Sequence, residues 1–243
     1  MRVKMLAVPL VASLALLAGC TSGTPTATPT STTNGVESKS AQEILNAAVD
    51  ALGHAQSFHL VGETGQDPLK FGLDLVYAGD NLKGTVDYSG VPVNVVKVGS
   101  DLYVNAAQSF WSSALATFLG ADQQALVTQL SAQLGGAWAK APAAAAASVV
   151  PIPLSLDQLF GSDAVPAPLT KGDVGTLDGK PVVTFTDGDG SKFSVALDGQ
   201  PYIVQIDTTD GPVKLSDFDA PVTIDAPTGA IDLIALLTGG GTG

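Results

Sequence analysis

"TLDGKPVVTFTDGDGSKFSVALDGQPYIVQIDTTDGPVKLSDF", residues 176–218, contains four Asp-Gly pairs separated by short apolar runs. The pairs occupy positions 178–179, 189–190, 198–199 and 210–211. Each pair lies where a hairpin must reverse, because Gly tolerates the positive φ that a tight turn demands. The runs between the pairs have the residue pattern of short strands. We therefore predict an antiparallel meander over about residues 172–225.

A second meander is predicted earlier in the chain, over about residues 57–105. In "PLKFGLDLVYAG" (68–79), large apolar residues recur at every second position, and "LKGTVDY", "VPVNVVKVG" and "DLYVN" follow after short turns. Alternation of this kind is typical of strands with one apolar and one solvated face. The chain therefore contains two predicted groups of antiparallel strands.

Helices are predicted before and between the two meanders. Ser40-Ala41-Gln42-Glu43 is a capping box, and apolar residues then recur at helical spacing up to Gly53, which we expect to end the helix. Residues 112–119, 121–134 and "SLDQLF" (155–160) predict further helices, whereas "KAPAAAAASVVPIP" predicts a flexible stretch. The predicted fold class is α+β, with helices on one face of a long antiparallel sheet of eight or more strands.

The N-terminus has the pattern of a secretory signal, which we assign to residues 1–19. Arg2 and Lys4 precede an apolar run of 14 residues, which is shorter than the roughly 20 that a transmembrane helix needs. Leu17-Ala18-Gly19-Cys20 resembles the bacterial lipobox, which implies cleavage before Cys20 after its thiol has received diacylglycerol. The alternative is an ordinary signal peptide with a free thiol, an exposed reactive group in a secreted protein.

The segment after Cys20 is predicted to be a tether. Residues 20–39 comprise the lipidated cysteine and a tract rich in Thr, Ser, Pro and Gly, which cannot bury enough apolar area to fold. Its hydroxyls beside Pro suggest O-glycosylation, and an intact mass without hexose increments would contradict that suggestion. We assign residues 40–238 to a single domain and residues 239–243 to a flexible tail.

The net charge of the chain argues against nucleic acid and anionic lipid surfaces as partners. The chain has 11 Lys and Arg against 23 Asp and Glu, a net charge of −12, and removal of the signal makes the balance more negative still. Such a surface repels nucleic acid and gives no electrostatic attraction to anionic lipid. Attachment to the extracytoplasmic face of the cell membrane would therefore come from acyl chains on Cys20. We expect a monomer.

Catalytic and metal-binding patterns are scarce. His54 and His59 lack the spacing of metal ligands, and neither a Gly-x-Ser-x-Gly elbow nor a phosphate-binding Gly motif occurs. "TDGDGSKF" (186–193) invites comparison with a calcium loop, but it lacks the distal Glu, so a hairpin turn is favoured. We predict no catalytic residues, no metal and no cofactor.

The lipobox, the tether, "ALGHAQSFHLVGE", "VPVNVVKVGSDLYVNAAQSFW" and "VKLSDFDAPVTIDAP" together resemble the actinobacterial lipoprotein family that includes the mycobacterial LppX and LprAFG proteins. The resemblance covers most of residues 36–228 as a distributed pattern. It implies a half-barrel sheet around helices, similar to LolA and LolB, that encloses a cavity for acyl chains. It also implies the carriage of a lipid or lipoglycan across the cell-wall space. The Ala run 143–147 and the Gly-rich tail depart from the family pattern.

A cavity of this kind would lie between the apolar strands and the helices of residues 112–134. The residues expected to line it are Phe71, Leu73, Leu75, Val93, Val95, Tyr103, Phe110, Trp111, Phe118, Leu126, Leu130, Val183, Phe185, Phe193 and Val195. The alternative function is a non-enzymatic surface module with a solidly packed core, which recruits a cell-envelope partner protein. Under the carrier hypothesis, a membrane transporter or cell-wall protein would be the expected collaborator.

Overall fold

The computed structural model describes residues 33–64, 70–146, 154–160 and 165–239. The predicted signal peptide, Cys20 and nearly all of the predicted tether lie outside the described residues. So do residues 240–243 of the tail and part of the predicted flexible stretch. The assignments made for those segments stay predictions.

Twelve strands form a single sheet in the described part of the chain. They are β1 (Phe58–Thr64), β2 (Phe71–Ala78), β3 (Asn81–Tyr88), β4 (Val91–Val98), β5 (Asp101–Ala106), β6 (Trp138–Pro142), β7 (Thr170–Leu177), β8 (Lys180–Thr186), β9 (Lys192–Ala196), β10 (Ile203–Thr208), β11 (Gly211–Ser216) and β12 (Ile231–Asp232). The order is β12-β6-β5-β4-β3-β2-β1-β11-β10-β9-β8-β7. The sheet is curved and does not close, since β7 and β12 are not paired with each other.

The two predicted meanders meet where β1 pairs with β11. Leu60 faces Leu215 across this antiparallel pair and faces Leu75 on its other side, so the apolar row continues from one meander into the other. All four Asp-Gly pairs lie at the predicted reversals, and the turn between β7 and β8 has Asp178 and Gly179 at φ 50° and 79°. Positive φ at both central residues is the requirement of a tight hairpin turn.

Six helices accompany the sheet among the described residues. They are α1 (Ala41–His54), α2 (Gln108–Leu119), α3 (Gln124–Leu134), α4 (Ala143–Ala146), α5 (Leu156–Phe160) and α6 (Leu233–Leu237). Their apolar side chains and those of one sheet face form one buried cluster. Within the described ranges, no helix combines the length and the hydropathy that crossing a membrane requires. The predicted α+β fold, with helices on one face of a long sheet, is confirmed.

The first helix begins with the predicted capping box. The Ser40 backbone N–H donates to Glu43 Oε2 at 2.9 Å, and the Glu43 N–H donates to Ser40 Oγ at 3.4 Å. The Ser40 hydroxyl and N–H hold the pKa of the Glu43 carboxyl below its usual value. The helix runs through Gly53 and ends at His54, so the predicted stop at Gly53 was wrong by one residue.

The sheet has one apolar face and one polar face. Leu75, Val95 and Val104 occupy a continuous row on the face that packs against the helices, which we call the inner face. On the outer face, a hydrogen-bond ladder joins the side chains of Thr85, Asn94 and Asn105 and ends at the carbonyl of Gly136. This alternation places every second residue of a strand in the core.

Strand β6 was not predicted. The expectation for the chain between the meanders was helix followed by a flexible stretch, but Trp138–Pro142 pairs antiparallel with β5 and parallel with β12. Its alanines have low intrinsic preference for strands, so the pairing with β5 rather than local propensity determines its conformation. The consequence is that Ala139 and Ala141 lie on the inner face, where they are buried.

We predict that Gly84→Ala lowers the free energy of unfolding by about 2–4 kcal/mol. Gly84 has φ 155°, and a Cβ there would lie 2.0 Å from the carbonyl oxygen of Asp74 on β2. The matched control is Gly53→Ala in α1, where no heavy atom lies within 4 Å of the added carbon and Ala is the better helix former. Urea denaturation of both variants tests the prediction, and equal effects would contradict it.

Candidate functional site

An apolar cavity of about 110 Å³ lies between the inner face of β5 and β6 and helices α2, α4 and α6. Every side chain that lines it is apolar: Leu102, Val104, Trp111, Ala114, Leu115, Phe118, Ala139, Ala141, Ala145, Ala146, Leu233, Ile234 and Leu237. A cavity with such a lining disfavours water, because a buried water needs two or more hydrogen-bond partners and these side chains offer at most the indole N–H of Trp111. The site is therefore suited to a hydrocarbon group.

Small residues on β6 create the space. Leu102 and Val104 on β5 face Ala141 and Ala139 on β6, so large and small side chains stand side by side across the strand pair. The alanines reach less far from the sheet than the leucine and valine do. Helix α2 covers this region with residues of one helical face, among them Trp111 and Leu115, four positions apart.

Helix α6 covers the other side of the cavity and is weakly attached. It follows β12, a strand of two residues, and the Asp232 carboxylate caps it by accepting from the N–H of Ala235 at 2.9 Å. Asp232 also lies 3.9 Å from the Nζ of Lys140, in a partly exposed ion pair that contributes little stability. No residue of α6 is fully buried. Because α6 has few buried contacts, its local opening requires little free energy.

The mouth of the cavity is apolar and uncharged. Phe118 is 69% exposed and Ile234 is 45% exposed, although both also line the cavity. Helices α2, α3 and α6 contain no Asp, Glu, Lys or Arg in a chain with 34 such residues. An apolar group can therefore enter without passing a charged side chain on these helices.

An aromatic cluster lies beside the cavity. Phe71 and Tyr88 have ring centroids 4.9 Å apart, Tyr88 and Phe110 5.5 Å, and Phe110 and Trp111 5.4 Å. The Tyr88 hydroxyl and the Trp111 Nε1–H are buried and find no hydrogen-bond partner in the described part of the chain. Burial raises the pKa of the Tyr88 hydroxyl above its usual value. The cluster thus holds two unused donors.

Apart from Tyr103, the predicted lining residues fall into four groups. Trp111 and Phe118 line the cavity, and Phe71 and Phe110 are half-buried in the aromatic cluster beside it. Leu126 is 37% exposed on the surface of α3. The remaining aliphatic and aromatic side chains are buried in the core and do not line this cavity: Leu73, Leu75, Val93, Val95, Leu130, Val183, Phe185, Phe193 and Val195. Contact of any of these residues with a lipid stays a prediction.

Tyr103 does not line this cavity. Tyr103 lies on the outer face of the sheet, because its neighbours Leu102 and Val104 both line the cavity on the inner face. Strict alternation along β5 would have excluded it and selected Leu102 instead. The residues Leu233, Ile234 and Leu237 were also missed, since only the pairing of β12 with β6 brings them to the site.

Other clefts contain charged side chains. One of about 290 Å³ includes Asp80, Lys97 and Asp157 in its wall, and one of about 520 Å³ includes Asp50 and Asp219. Burying a charge against a hydrocarbon group is costly. The cavity at α2 and α6 is therefore the better candidate for an apolar ligand.

The residues considered for metal binding have other partners. His54 Nδ1 lies 2.7 Å from the carbonyl oxygen of Asp50, whereas His59 Nε2 lies 2.7 Å from Asp74 Oδ1 on the outer face. Asp187 Oδ1 accepts from the N–H groups of Asp189 and Ser191, which closes the hairpin between β8 and β9. No group of three or more His, Cys, Asp or Glu in the described ranges is arranged to hold a metal ion.

The chain is similar in structure to LprF from Mycobacterium bovis. The TM-score is 0.48 at 16% sequence identity, and the match covers 78% of this chain and 97% of the LprF chain. No protein-family model matches the chain, and no curated protein matches it. LprF is one of the lipoproteins that the sequence resemblance names.

We predict that Phe118→Ala reduces binding of the fluorescent probe 1-anilinonaphthalene-8-sulfonate severalfold, because Phe118 supplies exposed apolar area at the mouth of the cavity. Leu126→Ala is the control, since Leu126 is also exposed but does not line the cavity. Each variant should change the free energy of unfolding by less than about 0.5 kcal/mol, as exposed substitutions usually do. Equal loss of probe binding in both variants would contradict the prediction.

Proposed function

We propose that the protein is a membrane-anchored envelope lipoprotein that binds an acyl chain of a lipid or lipoglycan and carries or presents it across the cell-wall space. The observation that supports the proposal is the wholly apolar cavity between α2, α6 and the inner face of the sheet, with an uncharged mouth. We assign no catalytic step to the site. Binding alone accounts for its chemistry.

The driving force is the removal of methylene groups from water. Each buried methylene contributes about 0.8 kcal/mol. The cavity of about 110 Å³ is smaller than the roughly 300–1,000 Å³ of typical ligand pockets, so it admits only part of a long chain in the conformation described. We therefore propose that the cavity enlarges on loading by movement of α6, the helix with no fully buried residue.

The proposed anchor and the proposed site have separate roles. Lipid on Cys20 would hold the protein at the extracytoplasmic face of the membrane, while the acidic body has no electrostatic attraction to anionic lipid. A membrane transporter or a cell-wall protein would supply or receive the cargo. The protein would act as a monomer.

The recruiting module remains the second candidate. Its support is the burial of Val93, Val95 and Val183, which are fully buried in the core and do not line the cavity. A module of this kind would use its surface and would have no need of the small cavity. Blocking the cavity should abolish the function of a lipid carrier and should leave the function of a recruiting module unchanged.

We predict that Ala114→Leu weakens binding of the fluorescent fatty acid cis-parinaric acid at least tenfold. Ala114 lies on α2 and lines the cavity, and the added isobutyl group would occupy much of its volume. Ala132→Leu is the matched control, because Ala132 is exposed on α3 and lies outside the lining. Fluorescence titration of both variants and the unaltered protein measures the affinity for cis-parinaric acid. Equal affinities would contradict the proposed site, and no binding by any of the three would favour the recruiting module.

A further inference from the structure

The lining of the cavity contains a single side-chain atom capable of hydrogen bonding. Twelve of its thirteen residues are Leu, Val, Ala, Phe or Ile, and the thirteenth, Trp111, carries an indole N–H. Trp111 is only 2% exposed, and its Nε1 has no acceptor among the residues that the structure describes. An indole N–H can donate a hydrogen bond but cannot accept one, so only an acceptor atom can pair with it.

Such a donor is unusual in a native structure. Nearly all buried polar side-chain atoms have a partner, and the exceptions call for an explanation such as a role in binding. A phenylalanine at position 111 would keep an aromatic ring in the cluster without leaving a donor unpaired, at the cost of a smaller ring. The contacts of Trp111 with Phe110, at 5.4 Å and an interplanar angle of 78°, hold the ring by its aromatic surface and leave the N–H unused.

A second buried donor lies in the same aromatic cluster. The Tyr88 hydroxyl also has no partner among the described residues, and its ring lies 5.5 Å from that of Phe110. Tyr88 does not line the cavity, so Trp111 carries the one side-chain donor among the lining residues, whereas α6 contributes only Leu233, Ile234 and Leu237. This polarity matches a ligand with an acceptor oxygen at one end of a hydrocarbon chain.

We propose that the cavity recognises the carbonyl oxygen of a fatty-acyl group, which accepts a hydrogen bond from the Nε1–H of Trp111. This inference rests on the proposed function and adds to it the side chain that distinguishes an acyl ester or acid from a plain hydrocarbon. Nε1 is buried in the conformation described, so the oxygen reaches it in the enlarged, loaded cavity proposed above, and the methylene chain extends past α6 toward the mouth at Phe118 and Ile234. Because the surroundings are apolar, this one hydrogen bond is stronger than it would be in water.

The test uses the full chain and three tritiated ligands of equal chain length: palmitic acid, methyl palmitate and hexadecane. Trp111→Phe keeps an aromatic ring and removes the donor. We expect it to weaken binding of methyl palmitate about fivefold and to leave binding of hexadecane unchanged. If Trp111→Phe weakens binding of palmitic acid to a similar extent, the ligand class includes free acids. If only binding of the ester is weakened, the class is restricted to esters.

The same variant has an expected effect without ligand. Removal of the unpaired donor offsets part of the cost of the smaller buried ring, so the thermal midpoint of unfolding should fall by only a few degrees. Equal weakening of methyl palmitate and hexadecane would overturn the proposal, because it would mean that Trp111 acts through packing alone. Absence of binding of all three ligands to the unaltered protein would overturn the proposed function, and the inference with it.

A measurement on the unaltered protein covers the case in which the variant fails to fold. With ¹⁵N-labelled tryptophan, methyl palmitate should shift the indole N–H resonance of Trp111 downfield, and hexadecane should not produce that shift. Trp138 is the internal control, since it lies on the outer face of the sheet opposite Asn105. Equal responses of the Trp111 resonance to both ligands would contradict the proposal.

Discussion

The inner face of the sheet must be covered, and the rest of the structure depends on that constraint. The pairing of β1 with β11 makes one continuous apolar surface from two groups of strands, and such a surface is unstable in water. Helices α1, α2 and α3 cover it with apolar residues. Over β5 and β6 the alanines of β6 leave a gap, which helix α2 and the weakly held α6 enclose. The cavity is thus a consequence of incomplete packing at one end of the sheet.

The same incompleteness supplies the features that a carrier needs. A site that releases its ligand requires a cover that moves, and α6 is attached through two strand residues and a partly exposed ion pair. Apolar burial alone does not distinguish one hydrocarbon from another. Under the proposed recognition, the unpaired N–H of Trp111 would add a polar requirement within an otherwise apolar lining. In this account, the apolar lining stabilises the bound ligand, α6 controls its entry and release, and Trp111 distinguishes acyl groups from plain hydrocarbons.

Local chemistry made much of the fold predictable. The Asp-Gly pairs predicted their hairpins, and Ser40 and Glu43 predicted the start of α1, because a turn or a cap depends on a few adjacent residues. The cavity was less predictable. Trp111 and Phe118 were expected in its lining, but β6 and α6 reach the site through pairings distant in sequence, which no local pattern records. Strand alternation along β5 places Tyr103 on the face opposite Leu102 and Val104, although all three are adjacent in sequence.

The most direct test of the central claim is native mass spectrometry of the full chain produced in a mycobacterial host, with lipid extraction before and after unfolding. Lipid that remains on the unfolded chain is covalent and reports on Cys20. The account predicts an additional acyl lipid, bound in stoichiometric amount by the folded protein and released when the protein unfolds. A folded protein that carries only covalent lipid, and that stays free of other lipid after incubation with envelope extracts, would contradict the account.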